Sequence, residues 1–279
     1  MRLVAIAIAM LALAAEPATV SADPAIGHVI TAPTAWVPDG NVFVASAGID
    51  HRGDSNVLVG YGLGGIAVVD LDGDPDVRAC QQPPCGTDNR ATPMWLGRAS
   101  FKIGSHQDAL FAGQPAIALG VRTTFTAHQQ AGFARPRVSE AYLVASRELG
   151  PYLRLHAGAE AIDASFRDSD GGDDAEHRLG ATIRPFGGIE IRPPQYPKTT
   201  LIGDVAWLPR LEHDGPTLEW LGGVSVRYQA LVWGSIELTF RHREDEGLAA
   251  STVLVRVNAV FDHWVPRTVR YSSRHGGVE

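Results

Sequence analysis

Thr252-Val253-Leu254-Val255-Arg256-Val257-Asn258-Ala259-Val260-Phe261 decides how the rest of the chain is read. Val253, Val255, Val257, Ala259 and Phe261 share one face of an extended strand. Leu254, Arg256, Asn258 and Val260 share the other. A strand with one face to lipid and one to a polar lumen alternates in this way, and so does a strand of a soluble sheet. The N-terminus separates the two. Arg2 is a charged n-region, Leu3 to Ala15 an apolar h-region, and Val20-Ser21-Ala22 a small-residue cleavage site. Residues 1–22 are therefore expected to be a cleaved export signal, with the mature chain starting at Asp23. No Cys follows the h-region, which argues against a lipid anchor. No later segment approaches the ~20 apolar residues of a transmembrane helix. An exported chain of this kind points to the bacterial outer membrane.

Strand-like runs recur from end to end, at 41–49, 56–70, 94–105, 114–125, 137–147, 152–163, 178–192, 199–208, 218–230, 235–243 and 251–261. In 114–125, Ile117, Leu119 and Val121 oppose Gly120, Arg122 and Thr124; in 235–243, Ile236, Leu238 and Phe240 oppose Glu237, Thr239 and Arg241. Most runs exceed the ~5–6 residues usual in soluble sheets and suit the ~9–11 of a tilted membrane strand. The gaps after 56–70 alternate long and short, as external loops and periplasmic turns do. Placing both ends in the periplasm needs one more strand, and His28 to Trp36 is the candidate, despite Pro33. The expected fold is all-β: a single antiparallel up-and-down transmembrane barrel over 23–263, of about 12 strands within a range of about 10–14, followed by a polar tail, 264–279. A soluble sandwich or lipocalin-like barrel also alternates. Arg and Glu in mid-run, and apolar faces rich in Ala, Gly and Val, favour the membrane form.

The net charge of −7 argues against nucleic acid as a partner. The 30 glycines suit a curved, closed sheet. Cys80 and Cys85, in an exported chain, are expected to form a local disulfide.

The inward faces are expected to collect Arg98, Lys102, Arg122, Arg154, Arg192, Arg227, Arg241 and Arg256, against Glu140, Glu160, Glu190, Asp204 and Glu237. That excess of cations reads as a narrow path preferring anions, because charged rings set selectivity in pores. The same residues could instead fill the barrel as an ion-pair lattice. Asp70, Asp72, Asp74 and Asp76 follow at every second position, and Asp168, Asp170, Asp173, Asp174 and Glu176 cluster later. Both groups are read as acidic loops. Asp70, Asp72 and Asp74 are weak calcium candidates, because Pro75 and a missing twelfth-position glutamate spoil the calcium-loop pattern. No cofactor is expected, and no enzyme: no His-x-Ser places a serine and a histidine on one strand face, and His156, Glu160 and Arg154 read as lattice. Trp36, Trp95, Trp207, Trp220, Trp233 and Trp264 fall near run ends, where indoles suit the interfacial girdle.

Val29-Ile30-Thr31-Ala32-Pro33-Thr34-Ala35-Trp36-Val37-Pro38-Asp39-Gly40 resembles the opening of the YjbH-type outer-membrane β-barrel proteins, which are associated with exopolysaccharide production. Phe186-Gly187-Gly188-Ile189-Glu190, followed by the Asp204 strand, is similar to a strand opening of that family. The resemblance implies the barrel and its location and no catalytic residues. Members are typically longer, often with a periplasmic portion and a lipid-anchored Cys. Expected partners are the bilayer and lipopolysaccharide, with a polysaccharide or a small anionic solute as cargo. Two functions follow: a narrow channel or accessory of envelope polysaccharide export, or a non-conducting structural or adhesive barrel acting through its acidic external loops.

Overall fold

A computed structural model of the chain describes residues 28–80, 92–125, 133–168, 176–212, 215–244 and 246–262. The expected signal peptide, the tail 264–279, Cys85 with the disulfide it would make, and loop residues Asp170, Asp173 and Asp174 lie outside them. The strands are β1 (Val42–Asp50), β2 (Ser55–Leu63), β3 (Ala67–Cys80), β4 (Thr92–Ser105), β5 (Ala116–Thr124), β6 (Phe133–Leu149), β7 (Leu153–Asp168), β8 (Glu176–Arg178), β9 (Thr182–Ile191), β10 (Thr199–Glu212), β11 (Gly215–Leu231), β12 (Gly234–Arg243) and β13 (Thr252–Asp262). β8 and β9 both pair with β7 and form one strand, interrupted near Gly180, whose φ is 71°. Every other neighbour in sequence is an antiparallel neighbour in space, and β1 closes on β13 from Val42↔Asp262 to Asp50↔Leu254. The ring therefore has twelve strands, and both of its ends leave from the same rim.

The two faces part cleanly. Along β13, Val253, Val255 and Val257 are 41%, 45% and 52% exposed, whereas Leu254 is 2% and Asn258 6% exposed. The same contrast sets Ile117, Leu119 and Val121 of β5 outside and Arg122 inside. The outcome is a continuous exposed apolar band around a buried polar interior. Soluble monomers rarely expose apolar surface of that extent, and lipid is the solvent it fits.

Four expectations need correction. The run 56–70 is two strands, not one. Gly64 and Gly65, at φ 65° and 72°, turn the chain back between β2 and β3. Both faces there are apolar or glycine-rich, so no polar alternation marks the reversal. The run Asp70–Asp76 belongs to β3 and is not a loop: its four carboxylates are 7–9% exposed and face inward. Their spacing of two was the strand signal. Asp168 and Glu176 likewise end strands. His28–Trp36 is no strand of the barrel, and holds only an isolated bridge, His28↔Pro33. Twelve strands result because the split of 56–70 replaces that segment.

Residues 28–37 lie instead along the barrel axis. Val29, Ala32, Thr34 and Ala35 are at most 1% exposed. Val29, Ile30, Ala32 and Ala35 pack on Ala116, Ala118, Tyr142, Val144, Phe186, Ile202 and Ala206, the inner wall of β5, β6, β9 and β10. Trp36 joins that cluster and is therefore no part of an interfacial girdle.

At the rim opposite the termini the ring is bridged. Arg210–Glu212 of β10 pair in parallel with Arg78–Cys80 of β3, which stands six strands away in either direction. On one side of this bridge Val77, Met94, Leu96, Val138, Phe166 and Leu211 form an apolar core. On the other, Glu219 accepts from Arg78 Nε at 3.0 Å and from Arg243 Nη1 at 2.6 Å, while Asp76 Oδ1 accepts from Arg241 at 2.6 Å.

Candidate functional site: the barrel interior and residues 28–37

Opposite charges meet across the strands because the registers place them directly opposite. Arg98 faces Asp72, Arg122 faces Glu140, Arg154 faces Glu190, and Glu237 faces both Arg227 and Arg256. Arg98 Nε donates to Asp72 Oδ1 at 2.8 Å and its Nη2 donates to Asp74. Arg122 Nε donates to Glu140 Oε2 at 2.7 Å, and Arg227 Nε to Glu237 Oε2 at 2.8 Å. Arg154 lies 3.7 Å from Glu190, and Arg256 lies 3.6 Å from Glu237. Cross-strand pairs of this kind are the unit of sheet stabilisation, and burial raises the cost of losing either partner.

Of the residues expected to line the lumen, Arg98, Lys102, Arg122, Glu140, Glu160, Glu190, Arg227, Glu237 and Arg241 are buried, and Arg154, Asp204 and Arg256 are partly buried. Arg192 lies past the end of β9, in the connection to β10. The expected cation excess is absent among the described residues. The fully buried set has seven cations, Arg78, Arg98, Lys102, Arg122, Arg227, Arg241 and Arg243, and nine carboxylates, Asp70, Asp72, Asp74, Asp76, Glu140, Glu160, Glu190, Glu219 and Glu237, and the partly buried Arg154, Arg256 and Asp204 bring the totals to nine and ten. The difference arises from Asp70–Asp76, which had been assigned to a loop, and from Arg78, Glu219 and Arg243, whose approach across the mouth no local pattern announces. Asp70, Asp72 and Asp74 form no metal site either. The Arg98 guanidinium sits where a cation between Asp72 and Asp74 would be, and no acidic, His or Cys cluster among the described residues suits a metal.

Residues 28–37 are held mainly through their backbone. The N–H groups of Ile30, Thr31 and Ala32 donate to one oxygen, Asp204 Oδ2, at 3.0, 2.7 and 2.8 Å. Lys102 Nζ donates to the carbonyls of Thr34 and Trp36 at 3.1 and 2.8 Å. Arg227 donates to Val29 O at 3.2 Å, Arg256 to Ile30 O at 3.4 Å and Arg241 to Thr31 Oγ1 at 3.4 Å. Ala35 N–H donates to Ser146 Oγ at 2.8 Å. These partners come from β4, β6, β10, β11, β12 and β13, and only the barrel axis is within reach of all six. Two glycines admit the side chains. A Cβ on Gly188 would meet Val29 Cγ2 at 2.8 Å, and one on Gly223 would meet Ile30 Cδ1 at 2.9 Å. The two stretches that carry the family resemblance are thus packed on each other.

Ser146 Oγ also lies 2.8 Å from His156 Nδ1, and His156 Nε2 lies 3.3 Å from Glu190 Oε1. Serine, histidine and carboxylate are the residue types of an acyl-transfer triad. Here Ser146 is 1% exposed and its oxygen accepts from the Ala35 N–H. In this arrangement the set anchors residues 28–37, with Trp36 edge-on to the His156 ring at 6.3 Å. No single strand shows the set in its sequence, because Ser146 and His156 are paired across β6 and β7.

A cavity of about 90 Å³ remains between residues 28–31 and the inner wall, mainly that of β13 and β1–β5. Ser46, Asn56, Asp72, Asp74, Arg98, Arg122 and Asn258 line it, and it has room for a few waters.

No family model matches the sequence, and no curated protein matches it. Solved structures do. The chain is similar to the NanC porin in a rhombohedral crystal form, with 10% identity and a TM-score of 0.50, covering 78% of this chain and 98% of that one. The KdgM porin matches at 8% identity and a TM-score of 0.49, covering 79% and 99%. A loop-deletion mutant of OmpT, an outer membrane protein of Vibrio cholerae, matches at 9% identity and a TM-score of 0.40, covering 80% and 100%. Likeness at these identities is one of fold. The closed barrel with its apolar band is a porin-like barrel of the bacterial outer membrane.

Proposed function

We propose that this barrel is an outer-membrane channel for small polar solutes, held shut by its own residues 28–37. The observation that carries the reading is the docking of that segment: three successive N–H groups on Asp204, and carbonyls capped by Lys102, Arg227 and Arg256. An interior that only had to be filled could be filled by apolar side chains without desolvating charges. This one keeps paired charges around a segment whose covalent tie to the wall, among the described residues, is the backbone through residues 38–41 into β1. Displacing it would leave a polar path along Arg122, Arg227, Asp204 and Glu237. Because the buried charges nearly balance, the path would discriminate weakly by sign. An accessory role in envelope polysaccharide export is a separate reading that rests on the YjbH-type resemblance alone.

Planar-bilayer recording of the full chain and of a chain lacking 28–37 tests the reading. The full chain should show rare, brief openings and the shortened one openings several times more frequent, each still limited by parting of the β3–β10 bridge at the rim, with a reversal potential near zero in a salt gradient. A shortened chain that folds, as read by its heat-modifiable gel mobility, and yet stays silent would sink the proposal.

A further inference from the structure

The β9–β10 ladder is shorter than its strands. It runs from Leu201↔Ile191 to Val205↔Gly187 and stops. Continued in register, Ala206 would face Phe186, Trp207 would face Pro185, Leu208 would face Arg184, Pro209 would face Ile183 and Arg210 would face Thr182. Pro185 and Pro209 bring no N–H to that ladder, which is a sufficient reason for it to part there. Beyond the break β10 turns inward. Trp207 N–H donates to Glu160 Oε1 on β7 at 3.3 Å, and Arg210–Glu212 pair with β3. Among the described residues, Thr182–Phe186 is left paired on its β7 side only. The Arg184 guanidinium lies 5.2 Å from the Trp207 ring and covers the gap. The free edge is short, with a proline and an inward arginine, features that discourage pairing with foreign strands.

We infer that residues 206–212 of β10 exchange partners. Against β3 they shut the mouth; against the free edge of β9 they complete the cylinder and open it. Two observations besides the break support this. The outward series Leu201, Gly203, Val205 continues as Trp207 and Pro209, so the second pairing keeps one apolar face and brings an indole to the interface, where indoles are favoured. An edge with unpaired backbone groups is also costly beside lipid, and the exchange satisfies part of it. Three parallel pairs and the burial of Leu211 are thus set against five antiparallel pairs, two of them lacking a donor. β11 moves with β10, because their ladder is continuous to Glu212↔Gly215, and it carries Glu219 away from Arg78 and Arg243. The consequence for conduction rests on the channel reading, whereas the exchange itself concerns backbone pairing alone.

Disulfide trapping in lipid vesicles tests the exchange, in the full chain with Cys80 and Cys85 replaced by serine. Ala79→Cys with Leu211→Cys reports the shut pairing. Ile183→Cys with Pro209→Cys reports the other, and Leu208→Cys with Arg184→Cys reports it with both prolines kept. Gel mobility is expected to show all three disulfides accumulating under mild oxidation, with the 79–211 bond forming fastest. The 79–211 bond forming while neither of the others appears would overturn the inference. A 183–209 bond that forms in a chain also lacking 28–37, with no conductance, would uphold the exchange and remove the channel reading.

Discussion

Asp204 is the residue on which the interior turns. A carboxylate oxygen that takes three backbone N–H groups makes charge-assisted bonds, each about twice as strong as a neutral one. Asp204→Asn keeps the shape and removes the charge. Each bond should then fall toward the ~0.5–1.5 kcal/mol net of a neutral hydrogen bond. Open probability in planar bilayers is expected to rise severalfold while single-channel conductance stays that of the shortened chain. Unchanged gating would mean that Asp204 does not hold residues 28–37 in place. Arg98 shows what one strand could reveal and what it could not. Its inward face was legible in β4, because Arg98 and Lys102 alternate with apolar residues. Its partners were not, because an Asp-x-Asp run with Pro75 has the composition of a loop, and only the β3–β4 register brings Asp72 and Asp74 beside Arg98.

At the scale of elements, legibility followed contrast between faces. β5, β12 and β13 carry charge on one face and aliphatics on the other, and their sequences mark them plainly. β2 and β3 are apolar or glycine-rich where they join, so a hairpin looked like one long strand. Residues 28–36 carry β-forming Val, Ile and Thr, and no local rule places them inside a barrel, since their site exists only once six strands surround it. Gly188 and Gly223 are the local trace of that site. Gly188→Val is expected to leave the barrel folded, expel Val29 and give the more frequent openings of the shortened chain. Gly187→Val, on the outward side of the same strand, where an added Cβ meets only His156 O at 3.2 Å, is expected to leave gating unchanged. If both variants behave like the parent chain in bilayer recordings, Val29 does not need the space that Gly188 leaves.

The whole molecule is an inverted protein, with aliphatic side chains outside and ion pairs within, and its stability depends on the bilayer. Leu238 is 53% exposed at the centre of β12, between Val226 and Val255 on the neighbouring strands. Leu238→Arg is expected to cost about 2–4 kcal/mol if the position lies near the bilayer midplane. Urea titration of folding into vesicles reads the cost directly, and a change within experimental scatter would mean that β12 meets lipid headgroups there and not acyl chains.

The β3–β10 bridge changes what kind of object the barrel is at that level. A contact between opposite members of a ring cuts it into two smaller rings that share an edge. In the ring order seven strands lie on each side of the bridge, the shared pair included, and on the β9 side the ladder has already parted beyond Val205↔Gly187. A cylinder of about eight strands is already just wide enough to be filled by its own side chains. While the bridge is made neither half can hold a bore, whatever residues line it, and one is packed with Phe166, Met94 and Leu211, the other with Arg78, Glu219 and Arg243. Closure at this rim is therefore set by how many strands enclose each half, and enlarging or shaving individual side chains there will not bore a hole.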